Sequence, residues 1–287
     1  MHEDDWLAGR FEASRPRLRA MAYRMLGSLS DADDAVQEAW IRAAGASATS
    51  VDNLEGWLTT IAARVCLDML RARKSRREQP LDSHDAMVAG PEQETMLADS
   101  VGLALLVVLD TLTPAERIAF VLHDTFGLPF GQIAAITGRS PAAARQLASR
   151  ARRRVLGTAA VPGTRLARQR EVADAFLAAS RGGDIAGLLA VLDPDVVLHA
   201  DAASVPSGAP MTIRGAAAVA RGARAASGRS SYAGVALVNG TPGIVMAPRG
   251  RLVLVLALTI PDGRITQIDV IADPARLEQL DLAVLDA

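Results

Sequence analysis

Lysine is almost missing from this chain: Lys74 is the only one among 31 cationic residues, and the rest are arginine. A single cysteine, Cys66, excludes a disulfide framework and a cysteine-based zinc site. Aromatic residues make up only 3%. No uninterrupted apolar run approaches the roughly 20 residues that cross a bilayer. No signal-peptide pattern is read at the start, so a soluble cytoplasmic protein without membrane contact is expected. An excess of charge is also lacking, because the formal net charge is -1, and a global argument for nucleic-acid binding therefore fails. No metal and no cofactor is expected.

What is present is local. Cations gather at Arg64 to Arg77 and at Arg139 to Arg154, while acids gather after Asp31, after Glu78 and in the C-terminal tail. Half of the 287 residues are apolar, enough for two or three domains.

The stretch from Thr113 to Arg154 reads as a helix-turn-helix. Thr113-Pro114-Ala115-Glu116 predicts a helix start with a Thr N-cap, a proline where no N–H is needed and a glutamate that closes a capping box. Ile118, Ala119, Val121 and Leu122 face inward in that helix. A shorter helix follows over Phe130 to Thr137, ended by Gly138, and Ser140-Pro141 caps a third. In the third helix Ala144 and Leu147 face the core, and Arg145, Gln146, Ser149, Arg150 and Arg153 fall on the outside. An outward row of Arg, Gln and Ser suits base edges and phosphates. A small three-helix domain with a basic last helix would carry some of the same signals.

The N-terminal part, to about Arg77, reads as all helix. The helix starting at Ser30-Asp31 buries Ala32, Val36, Ala39, Trp40 and Ala43, and presents Asp34, Gln37, Glu38 and Ile41 on its other side. Such an acidic and amide-bearing face beside one exposed apolar residue fits a basic partner helix, or is simply solvated. The next helix, capped by Asn53, has Leu54, Trp57, Leu58, Ile61, Val65 and Met69 on its core side. It runs out into Arg71, Arg73, Lys74, Arg76 and Arg77. A face that grows basic, with Trp57 near its start, fits single-stranded DNA, whose phosphates follow the cations and whose unstacked base meets the ring. An aromatic on the apolar stripe is by default core, and Trp57 also reads that way.

Two sets of residues resemble one family. Asp31-Ala-Asp-Asp-Ala-Val-Gln37-Glu38-Ala-Trp40, Trp57 to Arg64 and Asp68-Met-Leu-Arg71 resemble region 2 of the bacterial extracytoplasmic-function sigma factors. Leu112 to Arg117 and Arg139 to Arg152 resemble region 4, in the family's order and spacing. The resemblance implies that Asp34, Gln37, Glu38 and Ile41 dock on the β′ clamp helices of core RNA polymerase and that region 4 meets the β flap. It implies that the loop Ser47 to Asn53, with Trp57, Thr60 and Arg64, captures a flipped base of the minus-10 element. The basic run from Arg71 to Arg77 continues that DNA surface. Arg139, Ser140, Arg145, Gln146 and Ser149 match the minus-35 reading helix, flanked by Arg150 and Arg153. The family often carries Asn where Arg64 stands, which bears on the base being read.

From Glu78 to Leu97 the chain is acidic, polar and aperiodic, with Pro80 and Pro91, as a linker is. A second junction is read at Gly157 to Gly163. Beyond it, helices are expected over Arg168 to Ser180, Asp184 to Leu192 and Gly215 to Ala226. Strands are expected over Val196 to Asp201, Tyr232 to Val238, Gly243 to Ala247, Arg251 to Ile260 and Arg264 to Ala272, with turns at Asn239-Gly240 and Asp262-Gly263. Helices followed by a meander imply an α+β domain with a sheet curled around a helical layer. The segment resembles the SnoaL-like domains of the NTF2 superfamily, fused to sigma factors in one subgroup. That subgroup's Trp-Leu-Pro-Glu-Pro linker segment is absent. Its Gly-rich motif is reduced to Asp201-Ala-Ala-Ser-Val205, and its terminal motif to Asp273-Pro274-Ala275-Arg276-Leu277, which become the expected regulatory residues.

The expected division is therefore 1–77 for region 2, a linker 78–97, 98–156 for region 4, a linker 157–167, and 168–287 for the SnoaL-like domain with its tail. Folds of this last kind also host isomerases and cyclases, and His199 with Asp201 on one strand face would form such an acid–base pair. Lacking a second polar cluster, the domain is read as non-catalytic, with room for a small ligand. The tail is read as amphipathic through Leu277, Leu280, Leu282 and Leu285, able to compete with DNA for the Arg71 to Arg77 surface.

Overall fold

The computed structural model describes residues 3–46, 51–77, 102–157, 163–248 and 251–284. It resolves into two compact units, Met1–Asp85 with Leu109–Arg153, and Ala86–Val108 with Arg154–Ala287. The expected linker 78–97 and residues 158–162 of the second junction lie outside the described residues.

The first unit is helical. Helix α1 spans Glu3–Leu26, α2 spans Leu29–Ala44 and α3 spans Leu54–Arg77. Helix α2 begins one residue before the expected start at Ser30, and its cap is Ser28. Gly27 turns the chain at φ 78°, which leaves Ser28 extended, and its Oγ accepts from the Asp31 N–H at 3.4 Å. Phe11 packs on Trp40 with ring centroids 5.0 Å apart. Asn53 caps α3, its Oδ1 taking the Gly56 N–H at 2.9 Å.

Helix α3 is buried more widely than its single large-residue stripe predicts. Thr59, Ala62, Ala63, Cys66, Leu67 and Leu70 are buried along with Leu54, Leu58 and Val65, whereas Trp57, Ile61 and Met69 are half-buried. The cause is a second packing partner. Helix α4 (Leu103–Asp110) belongs to the second unit as far as Val108; in the first unit, helix α5 (Pro114–Phe120) runs on as a wider turn over Val121–Thr125 and is followed by α6 (Phe130–Thr137). Both α5 and α6 pack on α3, and the small side chains Ala62 and Ala63 admit the close approach. Burial pushes the Cys66 thiol up to about 12, so this lone cysteine is an inert core residue.

The helix-turn-helix forms as its local chemistry dictates. Thr113 and Glu116 complete the capping box, Gly138 ends α6 at φ 69°, and Ser140 Oγ accepts the Ala143 N–H at the start of α7 (Pro141–Leu156). Ala144, Leu147, Ala151 and Val155 are its buried side.

The second unit carries α8 (Gly163–Gly182), α9 (Ile185–Val191), α10 (Ala216–Ala225) and α11 (Pro274–Leu277). Its strands are β1 (Leu192–Ala200), β2 (Met211–Arg214), β3 (Ala233–Val238), β4 (Thr241–Met246), β5 (Leu254–Thr259), β6 (Ile265–Ile271) and β7 (Leu282–Ala283). They form one sheet in the order β2-β1-β6-β5-β4-β3-β7, antiparallel except for the β1–β6 pair. Asn239-Gly240, both at positive φ, make the tight hairpin in which Val238 faces Thr241. Helix α8 lies over β3 and β4 and α10 over β1 and β2, enclosing Phe176, Leu188, Val196, Val219, Ile244, Ile265 and Ile268. This is the expected α+β layer arrangement.

Strands β2 and β7 are absent from the sequence expectations. The tail is accordingly a sheet strand and not a free amphipathic segment: Leu282 and Ala283 pair with Val238 and Leu237 and are buried. The Val284 N–H donates to the Val155 carbonyl at 2.7 Å, and Asn239 clamps Asp281 through two hydrogen bonds of 2.7 and 2.9 Å. Gly157 passes so close that an added Cβ would stand 2.2 Å from that of Ala283. Leu285 lies outside the described residues.

Candidate nucleic-acid interface

On α2 the residues Asp34, Gln37 and Ile41 are exposed, Ile41 at 58% of its surface. Glu38 is half-buried, and Arg42 Nε donates to its carboxylate at 2.8 Å. The same guanidinium reaches Asp68 of α3 at 3.5 Å. An apolar side chain is thus left bare in an acidic and amide-bearing rim.

Along α3 the expected single-strand residues separate into different environments. Asn53 is taken up by its cap, and Thr60 Oγ1 donates to the Gly56 carbonyl at 2.8 Å. Arg64 is exposed and its Nη2 donates to the Ala135 carbonyl of α6 at 3.1 Å. Arg71 and Lys74 are exposed. Arg73 turns back instead: it donates to the Leu26 carbonyl at 2.8 Å and is ion-paired with Asp31, so it ties the end of α1 to the start of α2. The side chains of Arg76 and Arg77, and loop residues 47–50, lie outside the described residues.

Helix α7 brings Arg139, Arg145, Gln146, Ser149 and Arg153 together on one exposed side, with Ser140 at its N-cap. Arg150 is drawn to Glu116, which accepts from its Nε at 3.0 Å. Glu116 is buried and accepts from Thr113 Oγ1 at 2.8 Å with its other oxygen. One carboxylate therefore closes the capping box and holds α7, a second role that only the fold assigns. Arg152 pairs with Asp124 at 2.8 Å.

In the second unit His199 is exposed and shares a hydrogen bond of 3.2 Å with Thr212. Asp201 accepts N–H groups from Ser204 at 3.0 Å, Ala272 at 2.9 Å and Asp273 at 3.0 Å, and Arg276 stands 3.5 Å away. Burial alone would raise its carboxyl, but the Asp273, Ala272 and Ser204 N–H groups together hold it below the ordinary 3.8. A carboxylate so held is a poor proton acceptor at neutral pH and works as a cap. Asp273 in turn caps α11, which contains Pro274, Arg276 and Leu277. The two reduced motifs are therefore joined through Asp201.

That junction has a pH signature. A depressed folded pKa stabilises above the unfolded value and loses this stabilisation as pH falls through that range. Asp201→Ala is expected to cost about 1–3 kcal/mol at pH 7. The deficit against wild type should narrow below pH 3.8 in urea melts of the full chain. A constant deficit from pH 7 to 3 would show that the charge is not what is bonded.

Comparison with known proteins agrees with this layout. Residues 10–76 match the Sigma-70 region 2 model and residues 102–155 the model named Sigma-70, region 4. Over 290 residues the chain is 37% identical to the probable ECF RNA polymerase sigma factor SigI of Mycobacterium tuberculosis, with 98% of each chain covered. This chain belongs to the ECF RNA polymerase sigma factors. It is also 36% identical over 294 residues to the ECF sigma factor SigJ of the same species, covering 92% of this chain and 91% of that one. The crystal structure of that SigJ aligns over 94% of this chain and 98% of its own at 31% identity, with a TM-score of 0.46. As a sigma factor the chain binds core RNA polymerase and promoter DNA and directs initiation. No described helix is long and apolar enough to cross a membrane.

Proposed function

We propose how this sigma factor divides its work. Asp34, Gln37 and Ile41, with Glu38 at their edge, dock on the β′ clamp helices, and residues 98–156 meet the β flap. Arg139, Arg145, Gln146 and Ser149 read the minus-35 element, with Arg153 on phosphate. Asn53, Trp57, Thr60 and Arg64 capture the minus-10 base, and Arg71, Lys74, Arg76 and Arg77 follow its backbone. Arg64 then exchanges its bond to Ala135 for one to DNA. Arg73 and Arg150 serve the fold first, because carboxylates already hold them. The work takes place in the cytoplasm, where promoter and polymerase are.

The observation that carries this reading is that an acidic-apolar face on α2 and an arginine-glutamine-serine face on α7 are both exposed. A simple repressor has use for the second alone. Mixing the full chain with core polymerase and following holoenzyme by gel filtration, then run-off transcription, tests it. Unaltered holoenzyme with the α2 face reversed in charge would overturn this division of work. Within α7, Arg145→Ala and Gln146→Ala are expected to relax preference at individual base pairs. Arg153→Ala should instead weaken all sequences alike, lowering the salt slope by about one ion; competition footprints at two salt concentrations check this.

Residues 168–287 are proposed to be non-catalytic and to act in cis on the sigma core. The support is that Asp201 is engaged as a cap, and that a short junction tethers the domain to the sigma core at a high effective concentration. Removing residues 273–287 is expected to change promoter output. Removing everything after about 165 should leave a core that binds polymerase but responds to no signal. Equal run-off output from the three lengths would make the domain a passenger.

A further inference from the structure

Arg145, Arg150 and Arg152 all stand on the outside of α7, yet they are held in different ways. Arg150 and Arg152 spend N–H donors on Glu116 and Asp124. Among the described residues none accepts a hydrogen bond from Arg145. Its guanidinium carbon instead lies over the Phe130 ring, 5.3 Å from the centroid. Phe130, the first residue of α6, is itself supported: the His123 ring lies 4.0 Å away, tilted by 31°, and His123 Nδ1 sits 3.1 Å from the Leu128 carbonyl.

The two kinds of restraint differ in what they leave available. A carboxylate binds the edge of a guanidinium and consumes in-plane donors, whereas an aromatic ring binds its face and leaves those donors free. Bidentate readout of guanine O6 and N7 uses that edge. An arginine on an open helix surface also has many rotamers, and ordering it on binding weakens the contact. A ring beneath the guanidinium restricts those rotamers beforehand.

We infer that Phe130 is a positioning residue for promoter readout: its ring preorganises Arg145 so that the free guanidinium edge meets a guanine of the minus-35 element. This rests on the reading of α7 as the minus-35 helix. Sequence alone does not point to it, because Phe130 looks like an ordinary apolar helix residue. The ring is nonetheless only half-buried, which core packing does not require.

The test uses holoenzyme made from the full chain and a set of duplexes in which each minus-35 base pair is replaced in turn. Arg145→Ala should flatten the preference at one position. Phe130→Leu should weaken discrimination at that same position by about 2–5-fold, the scale of an exposed cation–π contact. The other positions and the salt slope should stay as in wild type, and Phe130→Tyr should restore the preference. Wild-type discrimination in Phe130→Leu, or uniform weakening at every position, would overturn the inference while leaving the reading of α7 intact. Retained preference at every position in Arg145→Ala would instead overturn the reading of α7, and the inference with it.

Discussion

Gln37→Ala combined with Glu38→Arg is expected to abolish holoenzyme formation while the sigma factor stays folded. Gln37 is exposed and makes no contribution to the core. Among the described residues, Glu38 has only its surface pair with Arg42, one helical turn on. Losing such a pair costs about 0.3–0.5 kcal/mol, and the new repulsion beside Arg42 a similar amount, so melting shifts little. On the docking proposed for α2, against a basic polymerase helix, reversing the charge turns attraction into repulsion, and like charges brought together at an interface cost several kcal/mol. The expected result is loss of the holoenzyme peak in gel filtration with an unchanged circular dichroism spectrum. Unaltered assembly would remove α2 as the docking face.

Arg117→Ala is expected to have the largest effect on stability. Arg117 is only 2% exposed. Its Nη1 donates to Asp110 at 3.3 Å, and its Nη2 to the Arg24 carbonyl of α1 at 3.4 Å. A single charge thus joins α5 to Asp110 and to α1 within the first unit. Removing the buried partner of such a pair costs up to about 3–5 kcal/mol, whereas replacing both by apolar groups of similar volume costs far less. Urea denaturation followed by helical signal should show that loss for Arg117→Ala. A smaller loss is expected for Arg117→Met combined with Asp110→Leu. A loss below about 1 kcal/mol in the single variant would mean that the buried charge is not a tie between the helices.

What could be read along the chain is what is decided within a few residues. The Thr113–Glu116 box, the positive φ of Gly138 and the Asn239-Gly240 hairpin follow from steric freedom and from caps that reach only to the next turn. The outward row on α7 follows from helical spacing in the same way. Periodicity also gave helices first and a meander afterwards, and hence the α+β class of the C-terminal domain.

What the tertiary structure decided is which partner each polar group finds, because those partners are remote in sequence. Arg73 and Lys74 are neighbours in one basic run, yet only the first is drawn back to Asp31. Arg150 and Arg153 are alike in sequence, but Glu116, 34 residues away, takes Arg150 alone. Asp201 looks like a base on a strand until Ala272 and Asp273, 71 and 72 residues on, donate to it and make it a cap. The strand β7 is too short for any period to announce, and exists because β3 offers an edge beside it. The sequence by itself thus determined most of the helices, the main turns and the family, through local backbone preference and spacing. The assignment of individual charges to DNA or to the fold was left to tertiary contacts, because a salt bridge depends on distance in space and not on distance along the chain.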